Sequence, residues 1–109
     1  MTMFDDRKKA AERNFEREEE CAVRIRARRN KLLGVWAAEH MGLFGDAAAH
    51  YALDVVEAEV TGHDDEALAK KVCDDLIAAG FPMTGQEVRA QIAVFAAQAR
   101  AQVMTGAAS

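Results

Sequence analysis

A single proline, Pro82, stands among 109 residues, so along most of this chain only glycine is available to stop a helix. Gly42 and Gly45 bracket a break at MGLFGD, Gly62 closes the next stretch, and Gly80 precedes Phe81 and Pro82. Each of these glycines suits the residue just past a helix C-terminus. The punctuation predicts four helices, at Asp5–Met41, Asp46–Val60, Asp64–Ala79 and Glu87–Met104, with a fraying tail TGAAS. Composition agrees: alanine is abundant and aromatics make up 6% of the chain, a balance that favours helix over strand.

Start signals sit where the stops require them. Thr84 followed by Glu87 reads as a capping box, and Asp64, Asp65 and Glu66 put negative charge in a first turn, where the helix dipole favours it. Helical spacing then marks the apolar faces: Val88, Ile92, Phe95, Ala99 and Val103 in the fourth helix, and Leu68, Val72 and Leu76 with Cys73 and Ile77 in the third. In the second helix the expected stripe is Ala49, Leu53, Val56 and Val60, widened by Tyr51, Ala52 and Val55. Three amphipathic helices need a fourth to close a core, and Ile25, Leu32, Leu33 and Trp36 supply it from the first.

The first helix changes character along its length. Phe4, Ala11, Phe15 and Ala22 fall on a stripe only roughly 40° wide, with Lys8 and Glu18 at its edges, whereas a core-facing helix shows an apolar arc of about 100° or more. Acid-first pairs such as Asp5 with Lys9 and Glu20 with Arg24 add only about 0.2–0.5 kcal/mol each. Without packing, such a helix is marginal in water. The expected architecture is therefore all-α, a four-helix bundle with a long N-terminal helix whose first part is disordered or fraying when free. Residues 1–18 form a mobile segment, 19–104 the bundle and 105–109 a frayed tail. Gly34, in mid-helix, costs about 1 kcal/mol relative to alanine, which points to close approach of a neighbouring helix rather than to a hinge.

Charge and chemistry narrow the function classes. Net charge is −4, with an acidic block at Glu16–Glu20 followed by Arg24, Arg26, Arg28, Arg29 and Lys31. Arg24, Arg28 and Lys31 share one face, but Arg29 falls inside the apolar arc, so the run is no phosphate-tracking surface and no nucleic acid partner is expected. No apolar run is long enough for a membrane span and the start is too charged for a secretory signal, so a cytoplasmic protein without membrane insertion is expected. Cys21 and Cys73 read as half-buried hydrophobes rather than as a disulfide or metal pair. No phosphate loop occurs, and His40, His50 and His63 lack metal-ligand spacing, so neither catalysis nor a metal is expected. Arg28 and Lys31 are weak candidates for contacting the phosphates of an adenine nucleotide, and no cofactor is required.

Two motifs add a resemblance. FDDR at Phe4–Arg7, followed by a charged helix carrying Phe15, Glu18 and Glu19 and then by ARRNKLLGVWAA at Ala27–Ala38, resembles the zeta subunit family of α-proteobacterial F-type ATP synthases. The likeness is specific over about the first forty residues and extends beyond them in helix pattern and length. It implies a regulatory inhibitor whose N-terminal segment enters a catalytic α/β interface of the synthase head and reaches toward the γ shaft, blocking rotation in the direction of ATP hydrolysis. Carried onto this sequence, the inhibitory segment comprises Thr2, Met3, Phe4, Asp5, Asp6, Arg7, Lys8, Lys9, Ala11, Glu12, Arg13 and Phe15. Phe4 and Phe15 are the implied apolar anchors and the charges the implied ionic contacts, with Arg7, Lys8 and Lys9 together departing from a more mixed family pattern. The implied partners are the α, β and γ subunits, the implied location is peripheral to the inner membrane, and the free protein is expected to be monomeric. The alternative from another class is a helical adaptor that binds some other protein through the same extension.

Overall fold

The computed structural model describes the backbone of residues 3–60 and 64–106, and the side chains of residues 18–58 and 64–106. Among the described residues all regular structure is helical: α1 spans Met3–His40, α2 Gly45–Val60, α3 Asp65–Ala78 and α4 Gly85–Met104. The four expected helices are all present, their ends within two residues of those read from the glycines and caps. Gly62 and His63, the side chains of residues 1–17 and of Val60, and Ala107–Ser109 lie outside the described residues. The expectation of a fraying start over residues 1–18 falls almost wholly in that part.

Two of the glycine stops work by the same mechanism. Gly42 and Gly80 adopt φ of +75° and +85°, which a side chain would strain. The reversal lets the next two amides turn back: Leu43 N–H donates to Ala38 O at 2.9 Å and Phe81 N–H to Leu76 O at 2.8 Å, satisfying carbonyls that a bare helix end would leave unpaired. At the helix starts, Asp64 Oδ1 accepts from Ala67 N–H at 2.8 Å and Thr84 Oγ1 from Glu87 N–H at 3.1 Å. The reciprocal bond of the expected capping box, from Thr84 N–H to the Glu87 carboxylate, is not made, and α4 starts at Gly85. At the far end of α4, Thr105 is the C-cap, its N–H donating to Ala101 O at 3.1 Å, and the next amide, Gly106 N–H, donates to Val103 O at 3.2 Å.

The helices run up and down, α1 packing chiefly on α2 and α4, and α3 chiefly on α4. The core is built from Leu33 and Ala37 of α1, Val55 of α2, Leu68, Ala69, Val72 and Leu76 of α3, and Val88 and Ile92 of α4. Trp36 is half-buried, its ring edge-on to Phe95 at 6.3 Å and to His40 at 4.8 Å, and Phe81 caps His40 at 5.2 Å. The expected faces of α3 and α4 hold, except that Ile77 is 53% exposed at the last turn of α3.

The face assigned to α2 is a correction. Ala52 and Val55 are buried with Tyr51 half-buried, while Ala49 and Leu53 are exposed and Val56 is only half-buried. The helix is turned by about one residue step, roughly 100°, from the stripe chosen on spacing. The cause lies at the crossing with α1. A Cβ on Gly34 would stand 2.6 Å from Ala52 Cα and 3.3 Å from Val55 Cβ, so α2 presents an alanine where the two backbones meet. Putting Leu53 there would force the helices apart and open the core behind them.

Candidate functional site

Along α1 the burial pattern separates two stretches. Glu18–Glu20 and Ala22–Arg24 are exposed, Cys21 and Ile25 are half-buried, and from Arg29 onward one face is sealed by Arg29, Asn30, Leu33, Ala37 and Ala38. At 1.5 Å per residue the helix is about 57 Å long, against about 30 Å for α4, the longest helix packed on it. Its length sets the 64 Å long axis of a molecule only 26 × 22 Å across. Of the sequence-derived inhibitory segment, Thr2 lies outside the described residues, and Met3, Phe4, Asp5, Asp6, Arg7, Lys8, Lys9, Ala11, Glu12, Arg13 and Phe15 lie on helical backbone with side chains outside the described set.

The root of this helix is fixed by a polar lock. The Arg29 guanidinium donates Nη2 to Asp65 Oδ1 at 2.9 Å and Nη1 to Asp65 Oδ2 at 3.2 Å, while its Nε donates to Asn30 Oδ1 at 3.0 Å. Arg29 is 8% exposed and Asn30 fully buried, and the charge inside the apolar arc is met by Asp65, in the first turn of α3, with both carboxylate oxygens. Among the described residues no buried side-chain nitrogen or oxygen lacks a hydrogen-bond partner. A second inter-helix tie joins α2 to α3: the Tyr51 hydroxyl donates to Asp75 Oδ2 at 2.9 Å, and Lys71 donates to the same oxygen at 3.0 Å while lying 5.5 Å from the Tyr51 ring centre. Burial, then the hydrogen bond to the Asp75 carboxylate, pushes the Tyr51 phenol far above its usual range.

A groove of about 1010 Å³ runs between α1 and α2 and ends at the C-terminus of α4. Its α1 wall carries Arg24, Arg28 and Lys31, the face expected to be shared, and its α2 wall carries Ala49, Leu53 and Val56, the stripe displaced from the core. Arg28 Nε donates to Gln102 Oε1 of α4 at 2.7 Å, which fixes one cation in place. Arg24 and Lys31 make no ion pair among the described residues, the expected Glu20–Arg24 pair included. The two weak nucleotide candidates, Arg28 and Lys31, are thus brought together. Sequence reading identified the cations but missed the apolar wall opposite them, because the alanines, valines and single leucine of α2 fit two faces of the helix. Among the described residues no group of three or more His, Cys, Asp or Glu is placed to hold a metal ion, and no helix is long and apolar enough to cross a membrane.

The family described as ATPase inhibitor subunit zeta matches residues 1–102. The chain belongs to the zeta family. A solved relative, a solution NMR structure, is 39% identical over 77% of this chain and 95% of its own, with a TM-score of 0.66. A search of curated proteins finds no match. Membership of the zeta family makes the chain a regulatory inhibitor associated with ATP synthase, with FDDR and ARRNKLLG both inside the matched span.

Proposed function

We propose that this protein inhibits ATP hydrolysis by an F-type ATP synthase, its N-terminal segment entering a catalytic α/β interface near the γ shaft and obstructing rotation. The observation that carries the reading is the family match over residues 1–102, which takes in the FDDR start together with the bundle. The exposure of α1 from Glu18 to Arg24, apart from Cys21, supports a division of labour in which residues 1–18 act and the bundle anchors them. In this reading Phe4 and Phe15 fill apolar sites in the interface, and the flanking charges form desolvated, charge-assisted contacts with the α and β subunits. The work is done by obstruction, so no cofactor takes part.

The test is steady-state ATP hydrolysis by synthase heads stripped of their own inhibitor, titrated with the full-length protein and with a version lacking residues 1–14. Inhibition by the full-length protein alone is expected. Equal inhibition by the truncated protein would move the active element into the bundle, and no inhibition by either would reject the reading.

A further inference from the structure

We propose that the groove between α1 and α2 is a docking site for an acidic amphipathic helix of a partner protein. Three observations meet there. The first is an apolar surface that no described residue covers: Leu53 is 51% and Val35 37% exposed, and Ala49 lies open beside them, although α2 has already given Ala52 and Val55 to the core. A helix that is apolar on two faces, with only one covered, has a surface of the kind that marks an interaction site.

The second is geometry. On α1 the lining runs from Arg24 to Val35 at helical spacing, and on α2 from Gly45 to Val56, so each wall covers eleven residue steps. At 1.5 Å per step both walls are about 16 Å long, the length of a three-turn helix. Small residues at Ala48, Ala49 and Ala52 keep the floor low enough for another backbone to approach.

The third is charge. Arg24, Arg28 and Lys31 form one rim, and among the described residues Arg24 and Lys31 have no ion pair and no acidic residue lines the groove. An occupant with an apolar stripe and acidic flanks supplies what the walls lack. The chain's own start does not: residues 1–17 carry five cations (Arg7, Lys8, Lys9, Arg13, Arg17) against four acids (Asp5, Asp6, Glu12, Glu16). A groove of this length, with one cation already held by Gln102, also fits a helix better than a compact nucleotide. Docking here is independent of what the N-terminal segment does.

The probe is a synthetic helix of about five turns, with leucines at i, i+4, i+7 and i+11 and glutamates flanking them, titrated into isotope-labelled full-length protein. A counterpart with lysines in place of the glutamates, and ATP alone, are the controls. Saturable NMR shifts at Lys31, Ala49, Leu53 and Val56 with the acidic helix only are expected. The double variant Arg24→Glu, Lys31→Glu should weaken that binding at least tenfold with the folded spectrum retained, since both side chains are exposed and make no ion pair among the described residues. Leu53→Glu, at an exposed position, should do the same from the opposite wall. Failure of the acidic helix to bind, equal binding of the lysine helix, full affinity in the variants, shifts centred elsewhere, ATP shifts at these residues without the helix's, or self-association through the groove would each overturn the proposal.

Discussion

At the scale of single residues, Gly34 shows how two opposing effects are decided by distance. Alanine there would gain about 1 kcal/mol of helix propensity. It would also drive a Cβ to 2.6 Å from the Ala52 backbone, which cannot swing aside as a long side chain can. Overpacking costs about 1–3 kcal/mol. We expect Gly34→Ala to lose about 1–2 kcal/mol of stability in urea unfolding, and a more stable variant would show that α1 and α2 separate freely. Asp65→Asn removes the charge facing buried Arg29 but leaves a side chain that accepts one hydrogen bond. Asp65 is itself 59% exposed, so water softens the loss to about 1–2 kcal/mol, measurable in the same assay. Tyr51, the one tyrosine in the chain, provides a pH reading. Its folded pKa lies above the unfolded value of 10.0, so its contribution is full below pH 10 and is lost as the pH rises beyond that. Phenolate absorbance should therefore rise with unfolding in alkali rather than before it, and a titration near pH 10 in the folded protein would contradict the bond to Asp75.

At the scale of the element, the caps set where helices begin and end. Thr84→Ala deletes the acceptor for Glu87 N–H and should cost about 1 kcal/mol, while Gly80→Ala forces a side chain into a left-handed conformation for about 1–2 kcal/mol. Unfolding midpoints of the two variants, alone and combined, check both. Although Asp64, which reads as first-turn charge, is the N-cap of α3, the caps at Thr84, Gly42 and Gly80 were legible in the sequence because a cap is local, acting within a few residues of itself. The face of α2 was not, since Leu53 and Val55 are equally apolar and only the approach of Gly34 to Ala52, eighteen residues apart in sequence, selects between them. Arg29 was half-legible. Its place in the apolar arc could be read from spacing, but its partner Asp65 is brought near only by the packing of α3. The groove stayed hidden for the same reason, since one wall was visible as a cationic face and the other had been assigned to the core.

At the scale of the whole molecule, α1 belongs to two regions at once. Among the described residues its burial begins at Cys21 and Ile25, so deleting residues 1–14 should change the free energy of unfolding by less than about 0.5 kcal/mol. A loss of 2 kcal/mol or more, the size of a core deletion, would show that the start of α1 packs on the bundle. The polar lock at Arg29 and the close seam at Gly34 lie well behind that boundary, toward the C-terminal end of the helix. That placement has a mechanical consequence. A pull on the N-terminus loads the seams of α1 with α2 and α4 in shear, and every turn behind Arg29 shares the load. The turns at Glu18–Glu20, held by backbone bonds alone among the described residues, yield first and lengthen from 1.5 Å toward about 3.3 Å per residue. These turns ahead of the root then behave as a fuse, stretching before the four-helix body is strained.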